Sequence, residues 1–434
     1  MIRRPVLFIS LILLTSSSAI EDCVDCYANI ITCTDTQDIV SVRLGLDGSN
    51  MDTAAIDAAA MDPATSTQWP IAGTGAASDP YVIEKLNLRD LPANGLMIRD
   101  IEAYLLLKDF TFENLGKGNR SSLPVGIGTQ CAKNVMVENC TAHSGESFRF
   151  SFSENITIRN STGRNIYLEG IKNGLIDCCN ADCIMIKGKM SPFYSYKLFD
   201  PMYDIFNDTL VGQRDDKMAV SQHCIIKDCH RVKEIDIFDA QDCIVENSSM
   251  QSVGLWMMNA NNITFSNISA VNTALSIDWC KEIGFENATL INSSISLSGS
   301  GPEDYSIAFK NSTVDGRPIY YYENQSGLAV KNLSAGYVWM VNCPRSRLDG
   351  IEALGIFIIN SDGVVISNSN IGRTGVNLAF SNDCQISGNV LANQESEDDI
   401  VQHAFCRNNT ASGNTAAKEI KNLSMDFALF KKIA

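Results

Sequence analysis

Two neighbouring residue pairs could do chemistry if the fold brings them together. His223 and Asp242 suit a metal site or an imidazole base oriented by a carboxylate, though the same two residues form a solvated surface pair equally simply, and that reading is preferred. One residue further on stand Cys224 and Cys243, soft ligands suited to Cu(I), with Met257 or Met258 near by. As small apolar side chains they also fill a core, again the preferred reading. Metal ligation is therefore held as an alternative for these four residues, and no cofactor is expected. Cys23, Cys26 and Cys33 have the spacing of half a zinc site but no nearby fourth ligand, so a local disulfide is expected there. A second disulfide is expected between Cys179 and Cys229. With 15 cysteines the count is odd, which leaves at least one as a thiol or joined between chains.

Recognition chemistry concentrates in residues 189–220, where Phe193, Tyr194, Tyr196, Phe199, Tyr203 and Phe206 crowd one segment. Aromatic faces stack on sugar rings and serve protein contacts, or fold back over an apolar surface. Covering and subunit contact are preferred over sugar binding.

The elements that must position these residues come from an internal repeat. Segments 132–140 (AKNVMVENC), 153–161 (SENITIRNS), 221–229 (SQHCIIKDC), 240–248 (AQDCIVENS), 260–268 (ANNITFSNI), 280–288 (CKEIGFENA) and 361–369 (SDGVVISNS) align over nine positions. Positions four and six are apolar and position eight is Asn or Asp, the pattern of a short half-buried strand ending in a polar turn. A second apolar burst follows each segment, as in 254–259 (GLWMMN) and 274–279 (ALSIDW). A period of about 20 residues is too short for a strand–helix–strand unit of about 30. It fits one turn of a right-handed parallel β-helix, and roughly fourteen turns would make a rod about 65 Å long.

Position eight predicts an asparagine ladder, since stacked amides donate to one neighbour and accept from the next. Asn139, Asn160, Asn247, Asn267, Asn287, Asn311 and Asn332 all sit in glycosylation sequons, yet their ladder position predicts that most of them are buried and unmodified. Asn119, Asn207 and Asn324 stand outside that column and are the expected glycan acceptors.

Arg3 and Arg4, the apolar run from Val6 to Leu14 and Ser17-Ser18-Ala19 read as a signal peptide over residues 1–20, too short to span a bilayer. The chain carries 34 Lys and Arg against 50 Asp and Glu, a net charge of −16, which argues against nucleic acid as partner. Its 45% hydrophobic content is that of a folded protein. Residues 21–70 are expected to form an N-terminal cap, 71–415 the β-helix and 416–434 a C-terminal capping helix, from the apolar stripe Ile420, Leu423, Phe427 and Phe430.

Two segments add a resemblance. Residues 71–84 (IAGTGAASDPYVIE) resemble the opening motif of NosD-like secreted β-helix proteins of the carbohydrate-binding and sugar-hydrolase group, common in archaea, and 311–327 (NSTVDGRPIYYYENQSG) resemble a recurrent segment of the same proteins. That resemblance implies export and the β-helix fold. Its members include surface proteins, polysaccharide-active enzymes and a copper-processing factor, so it implies no single activity. An enzyme of this class would present acids on adjacent turns of one outward face. Along the second-strand columns, Asp236 aligns with Trp256, Ser276 and Ser296, and Phe238 with Met258, Asp278 and Ser298, so no acids adjoin. Asp215-Asp216 falls in the 189–220 insertion, and no Gly-His-Gly occurs. The sequence thus predicts a secreted, non-catalytic cell-surface structural or adhesion protein, self-assembling or joined to other envelope proteins, with surface polysaccharide as a further partner and no membrane span. A carbohydrate-binding or polysaccharide-cleaving protein is the alternative, and copper handling the second.

Overall fold

Alternation of apolar and polar residues becomes parallel strands in register. The computed structural model describes residues 29–32, 42–44, 72–89, 96–99, 101–115, 125–143, 146–188, 220–392, 400–402, 405–416 and 420–422. The chain divides into residues 1–244 and 245–434. Each unit is a parallel β-solenoid, with about 13 turns in the two together.

In the first unit, strands Lys133–Glu138, Glu154–Arg159 and Lys172–Asp177 pair parallel, with Val135 beside Ile156 beside Gly174 and Val137 beside Ile158 beside Ile176. A second set faces inward from Glu146–Ser151, Thr162–Glu169, Asn180–Lys187 and Val232–Phe238, putting Phe148, Ile166, Ile184 and Ile235 in one file. All four are fully buried, and each such side chain contributes about 1.5–3 kcal/mol of burial free energy. Asn180–Lys187 and Val232–Phe238 pair directly, so the length between them is added within one turn. Near the amino terminus, Asn29–Thr32 pairs parallel with Leu96–Arg99 and antiparallel with Val42–Leu44. That reversal ends the row of parallel strands, which is what a cap must do to a sheet edge. Segments 1–28, 33–41 and 45–71 lie outside the described residues.

The second unit repeats the scheme. Phe265, Phe285 and Phe309 form one file, with ring centroids 4.8 and 5.1 Å apart and planes within 11°. Trp339 stacks on Phe357 at 4.0 Å further along. Between these stretches Thr313–Val314 and Arg317–Pro318 form an antiparallel hairpin around Asp315-Gly316, both at positive φ, a turn that favours such an Asp-Gly pair. Ile420–Asn422 is a strand parallel to Ile400–Gln402, which corrects the expected helix at this point. An open parallel edge takes a further strand, satisfying its backbone groups as a helix would not. Residues 423–434 lie outside the described residues.

The turn column is the main departure from expectation. Asn139, Asn160, Asn247, Asn267, Asn287, Asn311 and Asn332 have φ of 48–55°, the left-handed conformation that Asn tolerates, and all are exposed rather than buried. A residue in this conformation turns its side chain outward at the corner, and the amides link along the surface: Asn287 Nδ2 donates to Asn267 Oδ1, and Asn267 Nδ2 to Asn247 Oδ1, each at 3.0 Å. Asn324 is likewise left-handed and accepts from Asn342 Nδ2 at 2.6 Å, so it belongs to a ladder and does not stand apart from one. Asn119 and Asn207 lie outside the described residues. The buried position is the next residue, where Ser312 Oγ accepts from the Ala288 N–H of the preceding turn and donates to the Lys310 carbonyl, both at 3.1 Å.

Replacing Asn267 separates the two contributions of a ladder residue. Asn267→Gly loses two amide hydrogen bonds, whereas Asn267→Ala also meets the left-handed penalty, so urea unfolding should find Ala less stable than Gly by about 1 kcal/mol. Equal stability would show that the corner does not demand this backbone.

Candidate functional site

Cysteines occupy the niche that serine fills elsewhere in the turns. Cys140, Cys179, Cys229, Cys280, Cys343 and Cys384 each direct Sγ to the carbonyl of the residue two earlier, at 3.2–3.5 Å. Ser161, Ser248, Ser312 and Ser361 do the same with Oγ. Cys179 and Cys229 are therefore not joined by a disulfide but are buried thiols held by backbone acceptors, which corrects the expected bridge. Burial pushes both thiols up to about 12, which keeps them unreactive. Cys23, Cys26 and Cys33, and the aromatic residues Phe193, Tyr194, Tyr196, Phe199, Tyr203 and Phe206, lie outside the described residues.

Cys224 and Cys243 are both buried, and the Ile244 N–H donates to the Cys224 carbonyl at 2.9 Å, which sets their segments side by side. Their thiols hydrogen-bond to one another, and that bond with burial holds Cys224 far toward the protonated form. His223 and Asp242 take left-handed corner positions on the same two turns, and His223 N–H donates to the Gln241 carbonyl at 3.3 Å. Among the described residues, neither residue enters a group of three ligands within reach of one ion.

The outward face of the first unit carries a charged network spanning successive turns. Arg149 bonds Glu146 Oε2 at 3.1 Å and Glu169 Oε2 at 3.2 Å, while Lys187 Nζ lies 3.4 Å from Glu169 Oε1. These four side chains are only 5–10% exposed. Burial pushes the Glu169 carboxyl up, but the Lys187 and Arg149 charges outweigh it and hold the group below its ordinary value. Among the described residues two cations meet two carboxylates here, and those charges favour the ionised form of Glu169. It has no proton to give as a general acid, and its lone pairs are engaged. The sequence reading followed the columns from Asp236 onward and missed this network. The alternation in 146–151 (ESFRFS), with Glu169 one turn on and Lys187 two, held the signal.

In the second unit the equivalent strands Ser249–Met258, Ala274–Asp278 and Ser294–Ser298 place Trp256 beside Ser276 beside Ser296, and Met258 beside Asp278 beside Ser298. Their inward side chains Leu255, Leu275 and Ile295 are buried, which fixes the outward set. Trp256 is 49% exposed, an unusual position for so large an apolar surface. Its Nε1 donates to Asp278 Oδ2 at 3.4 Å, Ser276 Oγ donates to the same oxygen at 3.0 Å, and Ser298 Oγ donates to Oδ1 at 2.5 Å. An indole is thereby held by a single carboxylate among three serines. The columns were legible in the sequence, but the diagonal bond from Trp256 to Asp278 was not.

The chain is thus a parallel β-solenoid protein. Neither a family model nor a curated protein matches it in sequence. Among solved structures it is similar to the surface protein and adhesin PfbA of Streptococcus pneumoniae, at 11% identity over 78% of this chain and 90% of that one, with a TM-score of 0.37. It is also similar to a hyperthermoactive exopolygalacturonase of Thermotoga maritima, at 12% over 80% and 75%, TM-score 0.30. The A-module of mannuronan C-5 epimerase AlgE6 of Azotobacter vinelandii gives 10% over 78% and 90%, TM-score 0.26. Likeness at this level says nothing about ligand or activity. Among the described residues, no helix is long and apolar enough to cross a membrane.

Two measurements follow. The double variant Cys179→Ser, Cys229→Ser keeps both hydrogen bonds and should shift the unfolding free energy by less than about 1 kcal/mol. A loss of about 2–5 kcal/mol would mark a disulfide instead. Glu169→Gln removes the buried carboxylate that Lys187 and Arg149 share and should destabilise the protein by about 3–5 kcal/mol at neutral pH. Because the folded value of Glu169 lies below the unfolded one, its contribution is present above the unfolded value and is lost as pH falls through the folded one. The wild-type advantage over Glu169→Gln should therefore shrink on acidification, as unfolding curves along a pH series would show.

Proposed function

We propose that this is an extracellular adhesion solenoid that binds polysaccharide without cleaving it, with the open face around Trp256 as its contact surface. The observation that carries this reading is the half-exposed indole, fixed in orientation by Asp278 and flanked by Ser276, Ser296 and Ser298. A sugar ring offers an apolar face to such an indole, and its hydroxyls find donors and acceptors in the serines and the carboxylate. Among the described residues, Asp278 is the one acid in these three hydrogen bonds. Glycoside cleavage by the usual route takes two carboxylates flanking one bond, so the arrangement favours holding over cutting. The net charge of −16 disfavours polyuronates and points to neutral glycans. The N-terminal signal pattern and the resemblance to NosD-like secreted proteins support an extracellular site of action.

Affinity electrophoresis of the full-length protein through neutral and uronic polysaccharides tests the reading. Retardation by a neutral glycan is expected, and Trp256→Ala should weaken it about 30-fold, the loss of a central aromatic anchor worth about 2 kcal/mol. Unchanged retardation of Trp256→Ala, or release of new chain ends from the glycan, would overturn it.

A further inference from the structure

A second cluster on the first unit shares the strand Asn180–Lys187 with the Glu169 network but involves other side chains. Cys183 on Asn180–Lys187 stands beside Glu234 on Val232–Phe238, with Asp236 two residues further along the same outward face. One ligand atom from each of the three lies within 4.8 Å of the other two. Asp236 is 5% exposed, and its Oδ1 is buried with no hydrogen-bond partner. Among the described residues its Oδ2 meets the Cys183 thiol alone, at 3.8 Å. Among the described residues no Lys or Arg pairs with Glu234 or Asp236. A comparable group, Asp177, Cys178 and Asp228, differs in this respect, because Arg159 and Lys227 already occupy Asp177 at 3.1 and 3.5 Å.

A buried carboxylate oxygen with no donor is costly, and several kcal/mol of desolvation go uncompensated unless a cation or proton arrives. We infer that Cys183, Glu234 and Asp236 form a binding site for one divalent cation of the Zn²⁺ class. One thiolate and two carboxylates match the ligand preferences of that ion, with a fourth position left to solvent, since Cys183 and Glu234 are partly exposed. On binding, the Cys183 S–H bond breaks, its proton passes to solvent, and a sulfur–metal bond forms without any change of oxidation state. Cys183 precedes the 189–219 insertion and the two acids follow it, so the ion clamps the two turns that flank the inserted length.

The test uses the full-length reduced protein with Zn²⁺ and Co²⁺ as probes. Wild type should retain one more equivalent of Zn²⁺ than Cys183→Ser, and its Co²⁺ adduct should show a thiolate-to-cobalt charge-transfer band that Cys183→Ser lacks. Loss of a supporting neighbour already weakens metal binding about 10–100-fold, so loss of this direct ligand should weaken the site about 100-fold or more. Asp236→Asn preserves the side-chain shape and should weaken the same band, giving an independent reading if the serine variant misfolds. Cys178→Ser should leave stoichiometry and spectrum unchanged. Equal Zn²⁺ stoichiometry in wild type and Cys183→Ser, or a band indifferent to both Cys183→Ser and Asp236→Asn, would overturn the assignment.

Discussion

The structure depends on in-register pairing between successive turns. Along the parallel stacks, strands donate and accept their backbone hydrogen bonds with the turn before and the turn after, so equivalent residues are forced into files. Inward, this places Phe265, Phe285 and Phe309 ring on ring. At the corners the same demand selects left-handed backbone, which is why Asn and Asp recur there. Immediately past a corner it selects a small side chain that can reach back two residues, and Ser and Cys both satisfy that geometry. Cys140, Cys179, Cys229, Cys280, Cys343 and Cys384 therefore have a packing explanation.

Outward files obey different rules according to exposure. Where solvent is excluded, as around Glu169, charges must be matched, and Arg149 and Lys187 match them. Where the Cys183, Glu234 and Asp236 group meets the same exclusion without a cation, burial and the neighbouring Glu234 charge push the Asp236 carboxyl up to about 7. Where the face is open, no matching is required, and a large indole can stay in water if a hydrogen bond fixes it. Trp256 with Asp278 is that case.

Much of this architecture was legible in the chain itself. Positions four and six of the repeat gave the inward files, and the 18–21-residue step gave the turn, because identical corners demand identical residues. Reading Asn139 and its equivalents as buried failed because sequence spacing shows that amides stack, not which way a left-handed corner turns them. The expected Cys179–Cys229 bridge failed for a related reason. Adjacency in a file was legible, but the backbone acceptors that capture each thiol were not. Of the site around Trp256, the columns could be read, whereas the diagonal bond to Asp278 depends on side-chain direction, which the repeat does not encode.

Hydroxyl-radical footprinting of the intact protein, with and without a saturating neutral glycan, tests the central claim most directly. If the open face is the contact surface, oxidation of Trp256 should fall sharply on ligand addition while exposed Phe405 stays equally reactive. Unchanged oxidation of Trp256 in the saturated complex would place the contact elsewhere and contradict the account.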